Sequence, residues 1–472
     1  MTKNANAKTW QLPVQSNGRR YSEPNDVPGA FDYYIGPSGS DSNPGTLASP
    51  WAITSLQDTN SNNSKMAGKR VGLLPGTYDI HALNSGSGGN YTYPVLDIPP
   101  GSAGTPTYIG SSGSSGYYSP RTVTIYNVGS TSVNAPLGQR PSGTGNFTID
   151  GLVVNLTGFS GGGINCNYGG NLSTGPGTVP GITIKNCEIF GMNGTSNGVN
   201  YALISMQNVY GAVIIGNKLH DCTGWDINHV HCYLEYCCTN SQITYNTMYN
   251  SYSGTHMKVA CAGQTIAYNY FYNLSRCGVQ GLDGAYGNPN SPSIGYSIHH
   301  NVFDNVNVVS LMDVNSSRYQ NNTFYNNTIY NSGTTGISGL NLVMAGGATC
   351  DFHNNICYTP NATSGWGGGV YGPSSGGASL WDYNCYFASA YTGFWSIYGS
   401  AVYNSLASWQ GATGTPDTHS FTSNPSFVSS ITSGGGAAQF KLSGGSPCNG
   451  AGQSGATMGA WDGSSVQVGA AF

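Results

Sequence analysis

The sequence predicts an all-β protein wound as a right-handed parallel β-helix. Three observations carry that expectation: a composition that breaks helices, a ninefold internal repeat, and an Asn that returns at one slot of the repeat. Gly (70) and Pro (23) make up about one residue in five of the 472, which argues against long helices. With 33 Tyr, 14 Phe and 38% hydrophobic residues the chain has material for a long core, so it does not read as disordered.

The repeat runs FTIDGLVVNL, ITIKNCEIFG, VIIGNKLHDC, ITYNTMYNS, TIAYNYFYNL, YSIHHNVFDNV, NTFYNNTIYNS, CDFHNNICYTP and WDYNCYFAS. One column holds Ile149, Ile184, Ile214, Ile243, Ile266, Ile298, Phe324, Phe352 and Trp381. Five residues later stand Val154, Ile189, Leu219, Met248, Phe271, Phe303, Ile329, Cys357 and Tyr386. Three residues after the first column come Asn217, Asn246, Asn269, Asn301, Asn327, Asn355 and Asn384. Spacings of 35, 30, 29, 23, 32, 26, 28 and 29 are too irregular for a tandem helical repeat and suit coils whose loops vary.

Each repeat holds short runs of β-branched and aromatic residues with period-two alternation, separated by Gly, Asn and Ser, which is a strand signature. A single such strand cannot bury its face. Coils stacked in parallel about 4.8 Å apart bury both apolar columns continuously and let each Asn amide bond to the Asn above and below. A propeller is the rival, but its blades need about 40 residues each.

The charge balance excludes several partners. Fifteen Lys and Arg against 19 Asp and Glu give −4, and charged residues are 7% of the chain where about 25% is usual. No basic surface exists for a nucleic-acid backbone, so no nucleic-acid partner is expected. No run of about 18 apolar residues predicts membrane insertion. The first residues, MTKNANAKTWQLPVQSNGRRYSEPND, lack the apolar stretch of an export signal, which points to synthesis in a reducing compartment. The 12 Cys include the adjacent Cys237 and Cys238 but no C-x-x-C, and no metal site is predicted.

The segments YYIGPSGSDSNPGTLASPW (33–51) and GLLPGTYDI (72–80) resemble the opening of single-stranded β-helix proteins of the pectate-lyase-like superfamily. The tail, with NPSFV (424–428), QFKLSGGSPCNGAGQ and MGAWDG, is similar to the closing segment of the same group. The resemblance spans about residues 33–465. It implies the fold strongly and the activity weakly, because that superfamily includes polysaccharide lyases, glycoside hydrolases, epimerases, bacteriophage tailspikes and non-enzymatic surface proteins. The expected organisation is a polar, basic anchoring arm at 1–32, a cap and first coils at 33–145, the regular β-helix at 146–395 and a Gly- and Ser-rich closing segment at 396–472.

With an apolar interior, chemistry has to sit on outward positions or in loops. Counting from the Asn slot, Val230, Met257, Val259, Leu282, Met312 and Val314 are expected to point inward. Their neighbours, His229 and His231, His256 and Lys258, Gly281 and Asp283, Asp313 and Asn315, are expected to form one polar outer face. For uronate β-elimination, Lys258 is the candidate base, assisted by His229, His256 or Arg276. For inverting hydrolysis, Asp283 and Asp313 are the candidate carboxylates, expected about 8 Å apart where roughly 6.5 to 9.5 Å is needed. His231, Arg276, Tyr286 and Asn315 are candidate glycan contacts, and Tyr268, Tyr270 and Tyr272 are aromatics read mainly as structural. Asp226 reads as a turn cap, Glu235 as a loop charge, and Cys232 and Cys261 as occupants of one slot in adjacent coils. No cofactor is predicted, with calcium left as an unassigned alternative.

Two functions follow as expectations. The first is a bacteriophage virion-associated protein, a decoration, fibre or tailspike, anchored to other virion proteins through 1–32, contacting host surface glycans and located on the virion or outside the cell after lysis, with a homotrimer as the assembly common in tailspikes. The second is a polysaccharide lyase or inverting glycoside hydrolase acting on an extracellular acidic polysaccharide.

Overall fold

The computed structural model describes residues 31–84, 94–126, 135–159, 161–168, 177–193, 201–223, 229–234, 237–258, 261–282, 295–312, 321–331, 335–336, 350–361, 364–365, 371–372, 381–388, 395–397, 401–403, 405–411, 417–461 and 468–470. The chain is a right-handed parallel β-helix with two long parallel sheets. The first sheet runs through twelve strands from Tyr33–Ile35 to Trp381–Asp382, each paired in parallel with the strand one coil on. The second has sixteen and takes up the remaining sides of the coil. No helix among the described residues is long and apolar enough to cross a membrane.

Both predicted apolar columns are continuous ladders. Ile149 pairs with Ile184, then Ile214, Ile243, Ile266, Ile298, Phe324, Phe352 and Trp381. Val154 likewise leads through Ile189, Leu219, Met248, Phe271, Phe303, Ile329 and Cys357 to Tyr386. All of these side chains are buried and belong to one core cluster. Parallel sheets demand this covering, because strands that repeat the same slot put like beside like along the axis.

The Asn slot forms the predicted ladder. The Oδ1 of Asn246 accepts from the backbone N–H of Asn217 at 2.9 Å and from its amide at 3.0 Å, while the Asn246 amide donates back to the Ile214 carbonyl and on to Asn269. The pattern continues through Asn301, Asn327 and Asn355 to Asn384. Cys187 N–H donates to Asn217 at one end, and Ser420 Oγ accepts from Asn384 N–H at the other. Each ladder Asn follows a residue in the left-handed region: Gly216, Tyr245, Tyr268, His300, Asn326, Asn354 and Tyr383 have φ between 51° and 67°. That conformation turns the chain sharply from first sheet to second. It is costly for Tyr and His, and stacking helps offset it: Tyr245 lies on Tyr268 at 4.9 Å, and Tyr268 on His300 at 4.9 Å.

Both ends of the core are covered. Trp51 donates its N–H to Tyr34 and stacks on Tyr33 at 4.4 Å, closing the first coil. The short helix Leu406–Gln410 places Trp409 against Trp381, closing the last. Phe31 and Asp32, assigned to the arm from sequence, already pack on this body: Phe31 contacts Tyr34 and Tyr108, and Asp32 accepts from Arg70 N–H at 2.8 Å.

Inward and outward positions after the Asn slot depart from simple counting. The pairing of Ser251 with Leu274 gives way to Ser253 with Cys277, so the coil of Asn269 carries one extra residue, a β-bulge at Ser275–Arg276. Met257 therefore pairs with Gly281, and Lys258 with Leu282, a residue expected on the opposite face. A corner two residues before the main-core position Cys232 adds a second departure. Val230 clusters with Ala202, apart from the main core. His231 stands between Val230↔Ala202 and Cys232↔Ile204, opposite the slot of Leu203, which is a core residue.

Candidate functional site

The polar face expected from sequence is not an open one where its side chains are described. His231 is fully buried, and its Nε2 lies 3.1 Å from the Tyr249 carbonyl oxygen. Burial, followed by the nearby His220, pushes its pKa down to about 3, so it is neutral. His256 is fully buried in the column of Tyr233 and Gln280, which excludes direct exposure to a glycan. Arg276 stands at the bulge, its guanidinium 5.5 Å from the Tyr252 ring and 3.4 Å from its hydroxyl. His229 and Lys258 lie in strands, paired with Tyr201 and Leu282, but their side chains are outside the described set. Asp226, Glu235, Asp283, Tyr286, Asp313 and Asn315 lie outside the described residues. Cys232 pairs with Thr255, not with Cys261, whose thiol donates to the Leu234 carbonyl; the two cysteines do not share a slot. Among the described residues no group of three or more His, Cys, Asp or Glu could hold a metal ion.

A different surface gathers chemistry: the outer face of the second sheet, on either side of the buried Ile189–Leu219–Met248–Phe271 column. Alternation turns the flanking residues outward. One flank reads Glu188, Lys218, Thr247, Tyr270 and Val302; the other reads Phe190, His220, Tyr249, Tyr272 and Asp304. Phe190, His220, Tyr249 and Tyr272 form a ring stack with centroids 4.5 to 4.9 Å apart and planes within 9°.

From Val302 onward the tail covers this face. Ala437, Phe440, Ala460, Trp461 and Val468 pack on Tyr270, Val302 and Tyr330. The tail is held mainly by its backbone: Gly434 N–H donates to Asp304 at 2.8 Å, Ala460 N–H to Thr328 Oγ1 at 2.9 Å, and Ala470 N–H to Thr247 Oγ1 at 3.0 Å. Where the covering stops, a groove of about 650 Å³ opens between sheet and tail. Lys218, Tyr249, Tyr270 and Tyr272 form its floor, and Lys441 and Trp461 stand in its wall. The Lys441 ammonium lies 4.5 Å from the Trp461 ring centroid, and the indole N–H is spent on the Ala437 carbonyl.

The electrostatics of this groove are one-sided. Its described lining has two ammonium groups and no carboxylate. Glu188, just outside, accepts from Lys218 at 2.8 Å and lies 3.1 Å from His220 Nε2, while Asp221 lies 2.8 Å from His220 Nδ1. Partial burial alone would raise Glu188, but hydrogen bonds from Lys218 and His220 outweigh it and hold the carboxyl below its usual range. The two carboxylates flank a single imidazole, which fills the space an inverting hydrolase would leave for water. Burial and the nearby Asp221 and Glu188 push Tyr249 up to about 12, so its phenol stays a neutral donor. Burial and Asp304 also raise Tyr270, whose hydroxyl donates to Asp304 at 2.7 Å. The arrangement can grip an anionic ligand with flat apolar faces.

Sequence reasoning passed over Lys218, Tyr249, Lys441 and Trp461, and treated Tyr270 and Tyr272 as mainly structural. The floor has a signal, since its residues stand one before or after the second apolar column. The wall has none, because it arrives from about 220 residues away in sequence.

No family model matches the chain, and no curated protein matches it. Solved structures do. A pectate lyase is 14% identical, with 91% of this chain and 96% of that one covered and a TM-score of 0.39. A mannuronan C-5 epimerase A-module of Azotobacter vinelandii is 13% identical over 78% and 94%, with a TM-score of 0.42. A xylose complex of XylC is 13% identical over 70% and 75%, with a TM-score of 0.40. Likeness of this degree leaves the chemistry to be read from this chain's own side chains.

Proposed function

We propose that this protein binds an acidic polysaccharide in the groove between the outer face of the second sheet and the C-terminal tail. The observation that carries the reading is the lining itself: three Tyr and one Trp with two lysines and no carboxylate among the described residues. The edges of stacked aromatic rings give apolar contact to sugar C–H groups, and ammonium groups pair with uronate or sulfate. Both lysines are pre-positioned, Lys218 by Glu188 and Lys441 by Trp461. Elimination or hydrolysis of the bound chain is the finer enzymatic reading, and it rests on Lys258, Asp283 and Asp313. A virion setting rests on the composition and the basic arm alone.

Calorimetric titration with oligouronates, sulfated oligosaccharides and neutral oligosaccharides tests the reading. Binding is expected for the anionic series, weakening as salt rises because exposed ion pairs are screened beyond about 10 Å at 0.1 M. Lys441→Ala should weaken it by about fivefold to tenfold, the equivalent of about 1 kcal/mol. Equal affinity for neutral and anionic chains, or an unchanged affinity in Lys441→Ala, would overturn the assignment of this groove.

A further inference from the structure

Eleven cysteines among the described residues are buried. Several spend their S–H on a neighbouring carbonyl: Cys187 on Lys185, Cys222 on Val230, Cys238 on Met206. Cys385 also spends its S–H on a carbonyl, that of Ser423, but it shares its buried cluster with a second cysteine, Cys448. Cys385 lies in the last coil, in the strand Cys385–Ala388, at the outward position that continues the Glu188–Lys218–Thr247–Tyr270 flank. Cys448 lies in the tail, 63 positions later in the sequence. Both are fully buried in one small cluster with Ile356 and Met458, with the two thiols as neighbours.

We propose that Cys385 and Cys448 are a disulfide-forming pair that locks the C-terminal tail onto the last coil and so fixes the wall of the groove. The tail side is pre-organised for it: Cys448 N–H donates to Ser446 Oγ at 3.1 Å, and Cys448 C=O accepts from Met458 N–H at 3.0 Å. The Cys385 thiol in turn donates to the Ser423 carbonyl at 3.2 Å. The wall residue Lys441 precedes Cys448 by seven positions. A bond here would therefore tether the groove wall in a tail whose described attachments near the groove are mainly single hydrogen bonds from its backbone.

The chemistry needs an oxidant, and a small-molecule disulfide such as oxidised glutathione suffices. One protein thiolate attacks it, forming a mixed disulfide and releasing one glutathione thiolate. The second protein thiolate then attacks the protein sulfur of that mixed disulfide, closing the Cys385–Cys448 bond and releasing the other glutathione. Two protein thiols lose two protons and two electrons, and one glutathione disulfide becomes two thiols. The neighbouring Cys448 thiol, and then burial, hold the Cys385 thiol well above its ordinary range. Exchange is therefore slow in the closed form and goes through folding or opening of the tail.

The test uses the full chain. Native protein, and protein refolded from denaturant, are equilibrated in glutathione buffers from fully reduced to fully oxidised. Free thiols are then alkylated in denaturant, and peptides are mapped by mass spectrometry without reduction. The expected result is one cross-linked pair, Cys385 with Cys448, two hydrogens lighter than its parts. The midpoint of thermal unfolding should rise by several degrees, and limited proteolysis should release the tail at least tenfold more slowly. Cys448→Ala should remove the difference between oxidised and reduced protein, whereas Cys261→Ala should keep it. Alkylation of both Cys385 and Cys448 in the most oxidising buffer, with the circular dichroism of the folded protein retained, would overturn the proposal. So would reproducible linkage of either to another cysteine. Glycan affinity of the reduced protein is a separate reading, so the two proposals fail independently.

Discussion

Replacing His231 by Leu should flatten the acid sensitivity of this protein. His231 is fully buried at a corner of the coil, opposite a slot filled by Leu203, and its pKa is pushed down to about 3. In the unfolded chain the same imidazole titrates near about 6.5. Between those values the unfolded chain takes up a proton that the folded chain refuses. Its contribution to stability is complete above about pH 6.5 and is lost as pH falls toward 3. The loss amounts to about 2 kcal/mol at pH 5 and about 3 kcal/mol at pH 4. Leu forfeits the contact with the Tyr249 carbonyl, worth about 1 kcal/mol, and fills the corner with apolar volume as Leu203 does. The variant should match the parent within about 1 kcal/mol at pH 8 and exceed its stability by about 1 to 2 kcal/mol at pH 5. Urea unfolding followed by tryptophan fluorescence at pH 8, 7, 6 and 5 measures the difference. Working above pH 5 keeps the carboxyls of Glu188 and Asp221, both held below their usual range, from entering the comparison. His299, lowered to about 3 by burial and then by His300, remains in both proteins and cancels. Parallel profiles for parent and variant would refute the reasoning.

Two further predictions concern the scaffold. Asn269→Ala removes the amide that donates to the Ile243 carbonyl and to Asn301, and the oxygen that accepts from Asn246, all in a buried ladder; a loss of about 3 kcal/mol in urea unfolding is expected, and a loss under 1 kcal/mol would mean the ladder is ornamental. Gly254→Ala would put a Cβ 2.5 Å from the Gly278 carbonyl oxygen and 2.8 Å from the Phe271 ring, so it should cost about 1 to 3 kcal/mol and lower the thermal midpoint; an unchanged midpoint would show that the corner yields.

The periodic part of the fold was legible because a stacked coil repeats its environment. Ile214, Ile243 and Ile266 meet the same neighbours in successive coils, so one requirement is written many times, and the repeat alone places Asn246 and Asn269. The site was less legible because it depends on breaks in the repeat. One extra residue at Ser275–Arg276 shifts the register that had set Lys258 against Gly281 and Asp283, and a slip of one residue exchanges faces. The corner at His231 looked like an alternating strand, yet two consecutive residues, Leu203 and Ile204 in the coil before, both face the core there. The groove floor was written beside the second apolar column and went unread, since ring stacks serve structure and sugars alike.

By itself the sequence determined the architecture: the parallel coils, the inward columns and the Asn ladder, all of them local rules repeated about every 29 residues. Only the tertiary structure decided where the chain can hold a ligand. The tail returns over the outer face and covers Val302, Thr328 and Ile356 but leaves Lys218 and Tyr249 open to Lys441 and Trp461. That boundary comes from single long-range contacts such as Gly434 with Asp304, and a contact made once leaves no period in the sequence to find.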